Sequence, residues 1–168
     1  YKKAADRGDK IGLTGIGLVY ALKGEDSKAF SYLKEAAEKE ETEAMIFLGL
    51  FYEKGVGVSK NIDEAVRWLV RASEDYPRVN TLLARIYYDY HNYDKAANRF
   101  TIAIENNVTN IEKADYYKIG VSMFETKSYT KALEWLEKSY NAGVEKSKSA
   151  SYIAHIYDSG LGIEKDKK

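Results

Sequence analysis

Two Ser-x-x-Lys pairs are the closest approach of this chain to a known catalytic pattern. Ser31 with Lys34 forms one pair, and Ser128 with Lys131 forms the other. Serine acyl-enzymes place a lysine three residues after the nucleophile, and they also carry Ser-Asp-Asn and Lys-Thr-Gly elements. Neither element occurs in this sequence. The two pairs alone therefore do not predict a hydrolase, because a chain rich in serine and lysine contains this spacing by chance.

His91 and His155 are the only histidines, and there is no cysteine. A protein metal site needs several ligands at fixed spacing, such as a His-x-x-x-His pair on one helix, and none is present. The sequence therefore predicts neither a metal site nor a cofactor. His91 is expected in a solvated turn, and His155 is a candidate contact for a partner.

Two Gly-x-Gly loops, Gly55–Gly57 and Gly160–Gly162, invite comparison with phosphate-binding loops. Such loops follow a strand, precede a helix N-terminus, and in the Walker pattern end with a lysine. No strand is predicted here and no lysine completes the pattern. We interpret both loops as tight connections between helices, in which Val58 and Ile163 are expected to reach into the core.

The charge balance argues against two classes of partner. The 26 Lys and Arg residues equal the 26 Asp and Glu residues, and neither sign is clustered. Phosphate backbones and anionic membrane surfaces are bound by clustered positive charge, so we expect no nucleic acid and no membrane surface as partner. No stretch reaches 18 apolar residues, so membrane insertion is not expected either. The N-terminus has no apolar signal segment, and the compartment is left open.

A repeated pattern of small and bulky residues predicts the helices that position these residues. Small residues recur at Gly17, Gly49, Ala84, Gly120 and Ala154, with spacings of 32, 35, 36 and 34 residues. A bulky residue follows each by three positions: Tyr20, Tyr52, Tyr87, Met123 and Tyr157. Such a period is typical of stacked helical repeats. The small residue is expected where two helices cross closely, with the bulky ring filling the space one turn along.

A second periodic set marks a second helix in each unit. Steps of four and three residues place its members on one helical face. They are Ala29, Leu33 and Ala36; Ala65, Leu69 and Ala72; Ala96, Phe100 and Ala103; and Ala132, Leu136 and Ser139. Helix N-caps are predicted at Asn61, Asn92 and Ser128, with Asp26 as the cap in the first unit. Pro77 is predicted to end the helix before it.

The units resemble the Sel-one-like repeat and the related tetratricopeptide repeat. Residues 48–69, LGLFYEKGVGVSKNIDEAVRWL, carry the Sel-one-like pattern, and residues 153–166, IAHIYDSGLGIEKD, repeat its first half. Residues 120–136, GVSMFETKSYTKALEWL, are similar to the tetratricopeptide pattern. The resemblance implies an all-α fold, a right-handed α-solenoid (superhelix) of helix-turn-helix repeats with about nine to ten helices.

We expect a single repeat array over residues 1–168, in a chain that is a fragment of a longer protein. Its repeats are predicted at about 10–40, 41–76, 77–109, 110–145 and 146–168, the last one partial. Residues 1–9 resemble the end of a preceding repeat.

In tetratricopeptide proteins the first helix of each unit lines a concave surface. Residue by residue, the resemblance places a set of polar and aromatic side chains there as candidate partner contacts: Lys54, Arg78, Arg85, Tyr88, Tyr117, Phe124 and His155. Arginine and large aromatics dominate the energetics of protein interfaces. In the first unit the lining positions, including Ile11 and Leu22, are all uncharged.

The favoured hypothesis is a non-enzymatic scaffold that binds a peptide or protein segment on the concave face. Arg78 and Arg85 would pair with carboxylates, and Tyr88, Tyr117 and Phe124 would anchor apolar groups. We expect alanine at Arg85 or Tyr88 to weaken binding without lowering the melting temperature. Two alternatives remain open: a cell-wall or β-lactam hydrolase, as implied by some cysteine-rich Sel-one-like relatives, and a structural spacer or self-associating segment.

Overall fold

The computed structural model describes residues 9–162, which form nine α-helices and no strand. None of these helices is long and apolar enough to cross a membrane. The helices are α1 (Lys10–Leu22), α2 (Asp26–Glu38), α3 (Thr42–Lys54), α4 (Ile62–Asp75), α5 (Val79–Asp89), α6 (Tyr93–Glu105), α7 (Asp115–Glu125), α8 (Tyr129–Asn141) and α9 (Lys146–Ser159). The predicted all-α fold is confirmed.

The chain divides into two compact units, residues 1–79 and 80–168. In the first unit α1 packs on α2, α2 on α3, and α3 on α4. In the second unit α6 packs on α7, α7 on α8, and α8 on α9. Each of these helices thus packs on its neighbour in sequence, as in a repeat protein.

The repeated glycines lie where two helices cross closely, as predicted. A Cβ atom added at Gly17, Gly49 or Gly120 would lie only 2.8, 2.6 or 2.7 Å from a leucine Cγ on the next helix. These leucines are Leu33, Leu69 and Leu136, respectively. Real Cβ atoms do not approach so closely, so the crossing depends on glycine.

The second periodic set forms the core of both units. All twelve members, from Ala29 to Ser139, have no solvent exposure. The first set is less uniform, because Ala154 is exposed and the Tyr157 side chain is 54% exposed. The prediction that this pair is packed like its counterparts is wrong for the fifth unit. The reason is that no second helix follows α9 within residues 9–162, whereas a second helix covers the small residue in the other units.

The helix ends agree with the predicted caps in most units. The Asn61 and Asn92 side chains accept hydrogen bonds from the backbone N–H groups of Glu64 and Lys95. Ser128 occupies the N-cap position of α8 without a side-chain hydrogen bond. In the first unit the N-cap is Glu25, and Asp26 is already the first helical residue, so the predicted cap was wrong by one position. The helix before Pro77 ends at Asp75, as predicted.

Each Gly-x-Gly loop docks on the start of a neighbouring helix. Gly55 and Gly160 end α3 and α9 in the left-handed conformation. A Cβ atom added at Gly57, which has φ +65°, would lie 2.2 Å from the carbonyl oxygen of Asp26 at the start of α2. Gly162 approaches Tyr129 at the start of α8 in the same way, and its carbonyl oxygen accepts a hydrogen bond from the Thr130 hydroxyl. The first loop therefore connects two helices, α3 and α4, as expected, and the second follows α9, the last helix of the described residues.

Two sequence predictions fall largely or wholly outside the described residues. They concern residues 1–9, expected to end a preceding repeat, and Ile163. Of these only Asp9 is described, and it caps α1 by accepting a hydrogen bond from the Ile11 N–H. Val58, the counterpart of Ile163 in the first loop, is partly buried.

Candidate protein-binding surface

The predicted contact residues are distributed over both compact units. Lys54, the last residue of α3, and Arg78, just before α5, are exposed and belong to the first unit. The other five lie in the second unit on its odd-numbered helices: Arg85 and Tyr88 on α5, Tyr117 and Phe124 on α7, and His155 on α9.

Three of these five residues, Tyr117, Phe124 and His155, form a continuous set of aromatic contacts together with Tyr152. The ring centroids of Tyr117 and Tyr152 are 6.3 Å apart, and those of Phe124 and Tyr152 are 4.9 Å apart. Phe124 also lies 5.6 Å from the His155 ring. Tyr88 lies near this set, since Tyr117 and Tyr152 are among the groups that raise the pKa of its phenol. We call these five residues, Tyr88, Tyr117, Phe124, Tyr152 and His155, the aromatic face.

The aromatic face is neither fully buried nor fully exposed. His155 is exposed, and the other four side chains are partly exposed while they pack against the core of the second unit. Large rings that are already held by packing lose little conformational entropy when a partner covers them. The face therefore has the burial and rigidity that suit a binding surface.

The hydroxyl groups of the three tyrosines on this face are not engaged in hydrogen bonds within the described part of the chain, as is true of most other tyrosines there. Tyr88, Tyr117 and Tyr152 make no side-chain hydrogen bond with any other residue between 9 and 162. Burial raises the pKa of Tyr117 to about 12 and also raises the pKa of Tyr88 and of Tyr152, with neighbouring tyrosines adding to each effect. The three phenols are therefore protonated at neutral pH and can donate hydrogen bonds to acceptors on a partner.

Lysine side chains lie against two of these rings. The Lys118 Nζ atom is 5.2 Å from the centre of the Tyr88 ring and 2.6 Å from a carboxylate oxygen of Asp89. The Lys148 Nζ atom is 5.9 Å from the centre of the Tyr117 ring and 2.9 Å from a carboxylate oxygen of Glu145. Each ammonium group thus lies near both an aromatic ring and a carboxylate, an arrangement that stabilises a cation.

Arg85 has a different environment from the one its candidate role implies. Its Nε and Nη2 atoms each donate to a different carboxylate oxygen of Asp115, both at 2.7 Å. The Asp115 side chain is only 2% exposed, and it also accepts a hydrogen bond from the Glu112 N–H at 2.8 Å. Arg85 Nη2 further donates to the carbonyl oxygen of Asn110 at 3.3 Å. The guanidinium is therefore bound within the fold, which makes Arg85 a weak candidate for pairing with a partner's carboxylate.

Tyr152 and Lys118 also belong to this surface, but the tetratricopeptide resemblance did not place them there. Both lie two positions before the repeated small residue of their repeat, whereas Tyr117, which the resemblance did select, lies three positions before it. A side chain at the second position before the small residue reaches the preceding helical repeat: Lys118 contacts Tyr88, and Tyr152 contacts Tyr117 and Phe124. Including this position among the candidate contacts would have identified both residues.

The residues with catalytic spacing are engaged in helix structure. The Ser31 hydroxyl donates to the carbonyl oxygen of Ser27 at 2.9 Å, and Ser128 is the N-cap residue of α8. His91 lies in the turn between α5 and α6, where its Nδ1 atom is 2.8 Å from the Tyr93 hydroxyl. Over residues 9–162, no three His, Cys, Asp or Glu side chains are grouped so that they could hold a metal ion.

The Sel1 repeat family matches this sequence over most of its length. The matched segments are residues 1–9, 12–40, 42–76, 114–144 and 147–168. The chain belongs to the Sel1 repeat family. Sel1 repeat proteins typically mediate protein–protein interactions and are generally non-enzymatic adaptors. Residues 77–113 are outside the matched segments, and they contain Arg85 and Tyr88.

One curated relative and two solved structures show what this Sel1 repeat chain is similar to. The chitin synthase regulator SKT5 of Saccharomyces cerevisiae is 32% identical over 93 residues, which is 51% of this chain and only 13% of that protein. A Sel1 repeat protein from Oxalobacter formigenes is 24% identical, with a TM-score of 0.63 over 95% of this chain and 69% of that one.

The second structure is c5321, a protective antigen of uropathogenic Escherichia coli strains with an SLR fold. It is also 24% identical, with a TM-score of 0.65 over 98% of this chain and 37% of that one. At this identity the structures establish the fold alone. The predicted α-solenoid class is therefore confirmed.

Proposed function

We propose that the aromatic face binds a segment of another protein. The observation that carries the proposal is the cluster of partly exposed aromatic rings, three of which, Tyr88, Tyr117 and Tyr152, have hydroxyls that make no hydrogen bond within residues 9–162.

The chemistry of the face suggests what the bound segment must supply. An extended peptide exposes backbone carbonyl oxygens, which accept hydrogen bonds from phenols, and its apolar side chains can pack against Phe124 and the tyrosine rings. Tyrosine offers a large apolar area and a polar end at low entropic cost, which is why it is enriched at protein interfaces. The membership in a family of interaction adaptors supports the same function.

The proposal can be tested with peptides selected from a random displayed library on the immobilised chain. We expect the triple substitution Tyr88→Phe, Tyr117→Phe and Tyr152→Phe to weaken the binding of a selected peptide by about tenfold or more. The reason is that each hydrogen bond lost contributes roughly 0.5–1.5 kcal/mol. Isothermal titration calorimetry measures the dissociation constants directly.

The matched control is Tyr140→Phe, which removes a phenol from the exposed surface of α8. It should leave the affinity unchanged. If the triple variant binds as tightly as the wild type, the aromatic face is not the binding surface and the proposal fails. Circular dichroism should show that the triple variant keeps the helical content of the wild type, because all three rings are retained.

A further inference from the structure

A pocket of 360 Å³ adjoins the aromatic face in the second unit. It lies between the turn that joins α5 to α6 and the C-terminal end of α7. Its lining combines aromatic rings with two carboxylates: Tyr90, His91, Asn92, Tyr93, Asp94 and Glu125. Tyr93 is 5.7 Å from Tyr88 between ring centroids, and the Glu125 charge acts on the Tyr152 phenol. The pocket is therefore continuous with the aromatic face.

The two carboxylates of the pocket differ from most others in this unit. Asp89, Glu112, Asp115, Glu134 and Glu145 each form an ion pair with a lysine or arginine. Asp94 and Glu125 form no ion pair or hydrogen bond through their side chains with any residue between 9 and 162. Two negative charges thus face one pocket without a positive partner from the described part of the chain.

The position of Glu125 gives it no evident role in stability. It is the last residue of α7, where the helix dipole disfavours a negative charge, and no basic residue lies in the last turn. Asp94, in the first turn of α6, is favoured by the dipole there. A carboxylate that is unfavourable for its own helix and faces a pocket lined by aromatic rings is consistent with a role in binding.

The same unit already stabilises two cations with the chemistry that the pocket offers. Lys118 lies near both the Tyr88 ring and the Asp89 carboxylate, and Lys148 lies near both the Tyr117 ring and the Glu145 carboxylate. The pocket presents tyrosine rings and carboxylates in the same combination to a cation from outside. A guanidinium group suits it particularly well, because it can stack on a ring and bind a carboxylate with two hydrogen bonds.

We propose that the segment bound on the aromatic face carries a basic side chain, preferably arginine, whose charged end enters this pocket. The proposal rests on the proposed function and adds the charge of the partner to it. It also reverses the polarity expected from the sequence, in which Arg78 and Arg85 were to receive acidic groups.

The test uses a peptide selected on the full chain from the random displayed library. We expect wild-type selections to be enriched in arginine or lysine at a fixed distance from an apolar residue. Glu125→Gln should weaken the binding of such a peptide by about tenfold, and replacing its basic residue by glutamine should weaken it by a similar factor. The two changes together should weaken binding by a smaller factor than the product of their separate factors, because they remove the same contact.

Glu105→Gln is a matched control, because Glu105 is also the exposed last residue of its helix and lies outside this pocket. It should leave the affinity unchanged. Glu125→Gln should not lower the melting temperature, which separates a loss of binding from a loss of folding. The cost of Glu125→Gln should also shrink at high ionic strength.

Two failures would be distinguishable. If Glu125→Gln and Glu105→Gln bind equally well while the triple tyrosine variant binds weakly, the aromatic face is the binding site. The proposal that a basic side chain enters the pocket is then wrong. The selection of peptides without basic residues would also contradict the proposal that the bound segment carries a basic side chain. If the triple tyrosine variant binds like the wild type as well, the proposed function fails.

Discussion

The ion pair between Arg85 and Asp115 shows what a single side chain contributes to the second unit. Asp115 is buried at the start of α7, and its carboxylate accepts two hydrogen bonds from Arg85 and one from the Glu112 N–H. The pair thereby joins α5 to the start of α7. Bidentate pairs between an arginine and a carboxylate are among the strong hydrogen-bonded interactions of proteins, and in this pair the carboxylate is buried.

Substitution of Arg85 by alanine should therefore destabilise the fold. Removing one partner of a buried pair leaves the other charge without compensation, and we expect a loss of about 2–3 kcal/mol in the free energy of unfolding. Urea denaturation followed by circular dichroism measures it. Lys138→Ala breaks the exposed pair with Glu134 and should cost less than about 1 kcal/mol.

If Arg85→Ala and Lys138→Ala are equally stable, the ion pair does not have the structural role that its geometry indicates. The expected loss changes how binding experiments on Arg85 are to be interpreted. The sequence led us to expect weaker binding at an unchanged melting temperature, whereas the structure predicts a lower melting temperature. A loss of binding in Arg85→Ala would therefore not locate the binding surface.

At the scale of elements, the first Gly-x-Gly loop is held by the close approach of Gly57 to α2. Its backbone has φ +65°, and an added Cβ atom would lie 2.2 Å from the Asp26 carbonyl oxygen and 2.9 Å from the Ser27 nitrogen. Backbone atoms at the start of a helix cannot move aside as a flexible side chain can. The loop and the helix must therefore separate if any side chain is introduced at this position.

Gly24 offers a control for that position in the same unit. It also has a positive φ, +73°, but an added Cβ atom would have no atom within 4 Å. Gly24→Ala should cost about 1 kcal/mol from backbone strain alone. Gly57→Ala should cost roughly 3 kcal/mol or more, because strain and overpacking add. Equal urea midpoints for the two variants would show that the loop does not depend on this contact.

The sequence predicted those elements whose signals are local and repeated. The twelve buried positions of the second helices and the Asn61 and Asn92 caps follow from periodicity and capping chemistry, and the structure confirms them. The cap in the first unit was predicted one position too late, because Asp26 is a favoured cap residue by type, whereas the helix begins at Asp26 after a Glu25 that makes no side-chain cap hydrogen bond. The packing of Ala154 failed because it requires a neighbouring helix, which its own sequence neighbourhood does not specify.

The candidate site could be predicted only in part, for a similar reason. Tyr88, Tyr117 and Phe124 were candidates because of their register in the repeat, and the structure joins Tyr117 and Phe124 through Tyr152. The Arg85 ion pair was not found, because Asp115 lies 30 residues away and reaches Arg85 only through the irregular connection between α6 and α7. The pocket with Asp94 and Glu125 likewise joins a turn to a helix end. Contacts between distant, non-periodic positions leave no pattern in a single sequence.

At the scale of the whole molecule, the three tyrosines with raised pKa values tie stability to pH. A raised pKa means that the folded chain holds the phenolic proton more tightly than the unfolded chain, whose tyrosines ionise near pH 10. The contribution to stability is therefore complete below about pH 10 and is lost as the pH rises toward 12, the pKa of Tyr117. Tyr88 and Tyr152 change stability in the same direction.

The free energy of unfolding of the chain should accordingly fall between pH 10 and pH 12, and part of that fall should come from the aromatic face. The variant with Tyr88, Tyr117 and Tyr152 all changed to phenylalanine should lose less stability over this range than the wild type, because these positions no longer ionise. A control variant with the exposed Tyr76, Tyr140 and Tyr157 changed to phenylalanine removes the same number of phenols. Urea denaturation at a series of pH values measures each slope. If the two variants lose stability in parallel, ionisation of the aromatic face is not what weakens the fold in alkali.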